Sequence, residues 1–433
     1  MRSRDWKTGV NAYGRETAFN YPRGLILLVL LLVCGLAAVT QPTRFARAAG
    51  PSVVAFNAAT YDVDEGTTFR TITVNRTGDV SGPATVDYIT AGVNASQRTD
   101  FTFVQGTLRF AAGQSTKSFD VLISEDIKIE GTESFTITLS TPTGQALLGT
   151  PSTASVVIND DSIEAGPNPI DFFDIFVGQH YHDFLGRQSD NPGQIFWQNQ
   201  IAACGTNAAC IDDRRTNVSA AFFLSIEFQQ SGYFVIRAHK AAFGSDPSVP
   251  RYMEFLRDQK RILEDVIVGN TGWQALLEAN RQAYLEEFVS RTEFVGVFPQ
   301  GLAASIYVDR MFANEGVIPT PGERAAAINA YGSGNTFGRA AALRSVIESD
   351  GVFDKQYNPA FVLMQYFGYL RREADDPPDN NFGGYNFWLD KMNQFTEPGE
   401  NVRDESVALS RVKRAEMVRS FLVSVEYRQR FGQ

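Results

Sequence analysis

Apolar and polar residues alternate over 69–76, 84–90, 115–123, 133–140 and 154–159. Alternation of period two sends every second side chain to one side, so each segment is predicted to be a strand with one buried face. Gly, Pro, Asn and Asp cluster between the segments, and no helical stretch interrupts them. About seven short strands between positions 51 and 162 predict an antiparallel sandwich. A Gly/Pro-broken linker follows at 163–170, and there the period changes. Phe176, Val177, Tyr181, Phe184 and Leu185 recur at helical spacing. The stretches 251–268, 274–289, 323–331, 338–347 and 407–427 also read as amphipathic helices. The expectation is a multidomain chain, with an all-β sandwich at 51–162 and an all-helical block at 171–433.

The helical block repeats itself. Phe222-Phe-Leu-Ser-Ile-Glu-Phe228 returns as Phe288-Val-Ser-Arg-Thr-Glu-Phe294 and Phe421-Leu-Val-Ser-Val-Glu-Tyr427, with a weaker copy at Ala342-Leu-Arg-Ser-Val-Ile-Glu-Ser349. A second phrase links the first and last copies. Tyr181-His-Asp-Phe-Leu-Gly-Arg187 leads through Asp190 to Phe196 and Trp197, and Tyr366-Phe-Gly-Tyr-Leu-Arg-Arg372 leads through Asp375 to Phe387 and Trp388. The pattern suggests about four units of roughly 60 residues. Its aromatic residues are most simply core. A sugar-stacking platform is the sharper reading of Trp197 and Trp388.

Ahead of the sandwich lies the apolar run 25–39, preceded by Arg2, Arg4, Lys7, Arg15 and Arg23 and followed by Ala46-Arg47-Ala48. Basic flank, short apolar stretch and small-residue site describe a secretory signal peptide over 1–49, cleaved near Ala48. The run is about 15 residues against the roughly 20 of a membrane span, so an uncleaved membrane anchor is the lesser alternative. Cys34 has Val33 before it, where a lipoprotein signal wants a small residue. Export also bears on Cys204 and Cys210, which stand six apart and are expected to form a local disulfide. A formal net charge of -10 argues against nucleic acid or an anionic membrane surface as main partner.

The acidic residues gather at strand ends: Glu65, Asp100, Glu125, Asp126, Glu130, Glu133, Asp160 and Asp161. Strand ends converge on the poles of a sandwich, and crowded carboxylates suit Ca²⁺, which takes six to eight oxygen ligands. Solvated turn residues are an equal reading of the spacing alone. The ordered motifs go further: Tyr61-Asp-Val-Asp-Glu65-Gly66, Thr85-Val-Asp-Tyr88, Asp100-Phe101, Gly106-Thr-Leu-Arg-Phe-Ala-Ala-Gly113, Glu130-Gly-Thr-Glu133-Ser-Phe135 and Val157-Ile-Asn-Asp160-Asp161. In this series the block resembles a Calx-beta domain, a module of sodium/calcium exchangers and of bacterial surface proteins. The resemblance implies an immunoglobulin-like sandwich binding Ca²⁺ through Glu65, Asp100, Asp126, Glu130, Glu133, Asp160 and Asp161, with Glu125 a further candidate. Two departures are Ser162, where the family often has a third aspartate, and Glu125, where an aspartate is usual.

The helical phrases resemble a bacterial repeat family known only as domain of unknown function 4214, distantly similar to phycobilisome linker domains. That resemblance implies a scaffold and no activity. Sequence motifs for chemistry are sparse. His180 and His182, two apart on a helix, point in different directions and are expected as surface or repeat histidines, as is His239. There is no G-x-S-x-G elbow and no phosphate-binding glycine loop after a strand, so neither a serine hydrolase nor nucleotide binding is supported. Two functions follow. One is a secreted or cell-surface calcium-binding structural or adhesion protein, not an enzyme, whose partners are calcium ions and envelope or extracellular matrix components. The other is an enzyme or binding protein for extracellular polysaccharide that uses the helical block; a pocket lined by convergent carboxylates and by Trp197 or Trp388 would favour it, and a helical block with no deep cleft would count against it.

Overall fold

Nine strands among the described residues account for the alternating segment: β1 (Ser52–Phe56), β2 (Thr60–Asp64), β3 (Phe69–Thr77), β4 (Ala84–Gly92), β5 (Gln105–Phe110), β6 (Thr116–Leu122), β7 (Glu133–Ser140), β8 (Ala146–Leu148) and β9 (Thr153–Asn159). They belong to a computed structural model that describes residues 50–161 and 165–432. The apolar run 25–39, Cys34, the Ala46-Arg47-Ala48 site and Ser162 therefore lie outside the described residues. One sheet runs β6-β3-β1-β8 and the other β2-β9-β7-β4-β5. Their inner faces meet through Val54, Ile72, Val74 and Val121 on one side and Val86, Phe135, Ile137 and Val156 on the other, all fully buried. The five alternating segments are strands, nearly to their expected ends. The sandwich is not wholly antiparallel, because β1 pairs with β8 and β2 with β9 in parallel.

The block after the linker is helical, with a hydrophobic core of its own. Helices occupy Phe173–Leu185, Tyr252–Ile262, Trp273–Phe288, Pro321–Tyr331 and Thr336–Ile347, close to the amphipathic stretches. Two stretches depart from expectation. The segment 407–427 is three helices, Glu405–Ala415, Met417–Leu422 and Val425–Arg428. Glu416 breaks the first by adopting a left-handed φ of 55°, and Ser424 caps the last. The stretch 251–268 stops at Ile262, and Asp265 turns left-handed shortly after. Cys204 and Cys210 are disulfide-bonded, with Cα atoms 5.5 Å apart.

The first and last of the repeated phrases form the same joint, whereas in the Phe288–Phe294 copy Ser290 Oγ donates to the Glu286 carbonyl and caps no helix start. In the first, Ser225 Oγ donates to the Phe222 carbonyl at 2.8 Å and accepts from the Phe228 amide at 3.2 Å. In the last, Ser424 Oγ makes the same bonds to Phe421 and Tyr427 at 2.8 and 3.2 Å. Each serine ends one helix and starts the next by satisfying backbone groups that helix termini leave open. The glutamate two positions on pairs with the arginine of the second phrase, Glu227 with Arg187 and Glu426 with Arg372, both through two bonds. One correspondence shifts. Asp190 pairs with Arg187, but Asp379 rather than Asp375 pairs with Arg372, because the last copy carries extra residues before its helix Gly383–Gln394. Asp375 contacts Arg251 instead.

Sandwich and helices pack into one compact unit across a polar seam. Arg371, with a side chain 1% exposed, donates to the Phe101 carbonyl, Ser124 Oγ and Thr102 Oγ1 while pairing with Asp183. Arg98 meets Glu426, Arg109 meets Glu287, and Gln188 donates to Asp120. Among the described residues no helix is long and apolar enough to cross a membrane.

Candidate metal centre

The strand register explains why the carboxylates meet. Parallel pairing of β2 with β9 ends at Asp64 opposite Asn159, so Glu65 and Asp160 leave the sheet side by side. β7 runs antiparallel to β9 and starts with Glu133 opposite Ile158, at the same pole. Phe101 pairs with Ile123, and the Ser124 amide donates to the Asp100 carbonyl at 2.8 Å, which brings Asp100 beside Glu125 and Asp126. The loop from Glu125 to Glu133 then carries Glu130 over the pole.

Asp100, Asp126 and Glu130 each offer one carboxylate oxygen, and the three lie within 4.8 Å of one another. Oxygens at 2.3–2.6 Å from a shared Ca²⁺ stand at such separations. Asp100 and Asp126 are buried, at 4% and 2% exposure. Glu133 adjoins this group, its carboxyl sharing a side-chain hydrogen bond with Asp100. Asp160 Oδ2 accepts from the Gly131 amide at 2.8 Å, so it braces the turn after Glu130. Glu65, Glu125 and Asp161 form the neighbouring part. Asp161 Oδ2 lies so near Gly66 that a Cβ there would come within 2.7 Å of it, and Glu125 Oε2 would be 3.6 Å from the same Cβ. Gly66 thus leaves room for both carboxylates against the Glu65 turn.

The electrostatics of this pole are those of crowded anions. Burial, and then the adjacent Asp100, Glu130 and Asp126, push the Glu133 carboxyl up to about 8. Burial also raises Asp126 and Glu130, against the opposing pull of Lys128. Asp100 Oδ1, Glu133 Oε2 and Asp160 Oδ1 are buried without a hydrogen-bond donor. Buried carboxylate oxygens without donors carry a full desolvation cost unless a proton or a cation lies between them. Lys128 supplies part of the compensation, its Nζ standing 3.2 Å from Asp126 Oδ2 and 4.0 Å from Glu130 Oε1. Hard, mobile oxygen donors of this kind fit Ca²⁺.

The ordered motifs, the two-sheet sandwich and this pole coincide with one family: residues 48–162 match the Calx-beta domain model. The sandwich is a Calx-beta domain. Over this segment the chain is 37% identical to the extracellular matrix organizing protein FRAS1 of Mus musculus across 118 residues, which are 26% of this chain and 3% of that protein. It is 35% identical to the sodium/calcium exchanger Calx of Drosophila melanogaster across 106 residues, 24% of this chain and 11% of the exchanger. The crystal structure of the apo-form Calx CBD1 domain aligns at 33% identity, covering 26% of this chain and all of that one, with a TM-score of 0.26. The chain thus spans a small fraction of the length of these curated relatives.

Sequence reasoning did not find Lys128, an isolated lysine whose place among the acids only the loop path reveals. Of the surface-or-repeat reading of the histidines, burial overturns the surface alternative. All three are buried, not on the surface: His180 hydrogen-bonds to the Phe176 carbonyl and to Ser219 Oγ, both at 2.7 Å, and His239 pairs with Asp258. Burial pushes His180 and His182 down to about 4, so both are neutral at physiological pH. Trp197 and Trp388 pack half-buried against Phe222 and Phe421, each with ring centroids 5.9 Å apart.

Proposed function

We propose that this chain is an extracellular or cell-surface structural protein whose Calx-beta domain binds Ca²⁺ and thereby stiffens the pole that meets the helical block. The observation that carries the reading is the convergence of carboxylate oxygens of Asp100, Asp126 and Glu130, with donor-free buried oxygens on the adjoining Asp100, Glu133 and Asp160 and with Lys128 among them. Glu65, Glu125, Asp160 and Asp161 extend the donor set to the number that more than one Ca²⁺ needs. The names of the relatives, a matrix-organizing protein and a sodium/calcium exchanger, support the setting. The basic-apolar-small pattern at 1–49 supports export by a signal peptide, and envelope or matrix components are the partners such a protein meets. The helical block, with its repeated joints, is the scaffold in this reading and supports adhesion rather than catalysis. Trp197 and Trp388 line none of the cavities of about 590, 490, 330 and 190 Å³, which favours the core reading of both rings.

Calorimetric titration of the chain with Ca²⁺ tests this, beside an Asp100→Asn, Asp126→Asn variant and an Asp160→Ala, Asp161→Ala variant. The expected result is saturable binding that both variants weaken, with a melting temperature that Ca²⁺ raises and a chelator restores. No heat and no melting shift at millimolar Ca²⁺ would overturn the reading.

A further inference from the structure

The helical block holds an arginine that its surroundings do not neutralise by contact. Arg237, on the helix Gly232–Phe243, is 3% exposed. Its Nε donates to the Ile347 carbonyl at 2.8 Å. Neither Nη makes a hydrogen bond or ion pair with any described residue, although the side chain lines a cavity of about 490 Å³. Burial pushes its guanidinium down to about 10, so it is still charged at neutral pH. Glu315 and Glu348 oppose its charge through space without forming an ion pair with it, so its desolvation is offset only in part.

Two further arginines face the same space. Arg281 is engaged with Glu278 and Glu348, and Arg403 with Asp350. Phe353 fixes the geometry: the Arg237 and Arg403 guanidinium carbons lie 4.6 and 3.8 Å from its ring centroid. Guanidinium groups held against a ring keep their planar donor forks aimed, and such forks match the paired oxygens of an oxyanion. Gln229 and Gln230 supply amides on the same wall, and the exposed Ile226 an apolar flank. The space is far larger than an inorganic ion and falls within the range of small-molecule sites.

We propose that this cavity binds a small organic oxyanion, a carboxylate, sulfate or phosphate carried on a body of about sugar size, with Arg237 as the receiving fork and Arg403 at the rim. The charged group sits against the free Nη atoms of Arg237, and its carrier lies along Phe353 and the two glutamines. The site lies within the helical block and stands independently of the calcium reading.

The test is calorimetry on the full chain at constant ionic strength, with inorganic sulfate, galacturonate and a sugar phosphate as separate titrants. At least one organic titrant is expected to saturate, more tightly than sulfate. Arg237→Gln is expected to weaken it about tenfold or more, as loss of a charge-assisted pair does. Because Arg237 is buried and its variant could fail to fold, exposed Arg403→Gln is the second arm, with a severalfold loss expected. Binding by sulfate alone would overturn the organic ligand. Saturation unchanged in both variants, or by none of the titrants, would overturn the site.

Discussion

Arg371 offers the most direct test of how sandwich and helices are joined. It adopts a left-handed φ of 48°, a conformation that side chains with a Cβ avoid at a cost of roughly 1–2 kcal/mol. In the first copy of the repeat the corresponding place, after Leu185, belongs to Gly186 with φ 59°. The arginine is tolerated there because its guanidinium reaches Phe101, Thr102 and Ser124 of the sandwich. Replacing it with alanine keeps the backbone cost and removes every one of those bonds. Losing one partner of a buried pair costs about 3–5 kcal/mol. Asp183 keeps Arg430 at 2.9 Å, which places Arg371→Ala near the lower end, about 3 kcal/mol. Arg371→Gly removes the same bonds and relieves the backbone, so it should be less damaging than alanine by about 1 kcal/mol. Urea unfolding followed by fluorescence and by circular dichroism reads both effects. The sandwich has no tryptophan, and Trp197, Trp273 and Trp388 report on the helices. Coincident transitions in the parent chain should separate in the variants as the two blocks uncouple. Alanine and glycine variants within about 0.5 kcal/mol of the parent would refute the reasoning.

Three further outcomes follow from the same geometry. Glu133, raised from 4.5 to about 8, holds a proton in the folded, metal-free state that the unfolded chain releases near 4.5. Metal-free stability should therefore fall as pH rises from about 4.5 to about 8, while stabilisation by Ca²⁺ grows over that window, and melting curves with chelator and with Ca²⁺ read both. Lys128→Ala removes the cation that competes for Asp126 and Glu130, so calorimetry should show Ca²⁺ affinity rising by about fivefold, equivalent to roughly 1 kcal/mol. Asp258 is fully buried beneath His239, Arg257 and Arg291, and Asp258→Ala should cost about 4 kcal/mol in urea unfolding by leaving Arg291 without its partner.

The sandwich was legible because its signal is local. Strands such as Phe69–Thr77 and Glu133–Ser140 alternate cleanly, with one face in the core and the other in water. The parallel pairing of β2 with β9 was not legible, since partner choice depends on residues about a hundred positions apart. The acidic residues could be named from strand ends and motif order. Which of them meet could not, because that depends on the Phe101–Ile123 pairing and on the path of the Glu125–Glu133 loop. Amphipathic spacing carried the helices Trp273–Phe288 and Thr336–Ile347, but it ran past Glu416, whose left-handed turn leaves no mark on hydrophobic periodicity. The histidines deceived because their burial depends on partners distant in sequence, Ser219 for His180 and Asp258 for His239.

The parallel pairing of β2 with β9 also decides how the sandwich meets mechanical load. Tension that passes through β1 to the start of β2, and from the linker to the end of β9, pulls these two strands in opposite directions. Strands pulled in this sense slide along each other, so the ladder from Thr60–Ser155 to Asp64–Asn159 bears the force together instead of opening one bond at a time. Glu65 and Asp161 leave the same end of that ladder. A Ca²⁺ bound there as proposed would act as an ionic cross-link in parallel with the hydrogen bonds, and the force needed to rupture the domain would then rise with the calcium concentration.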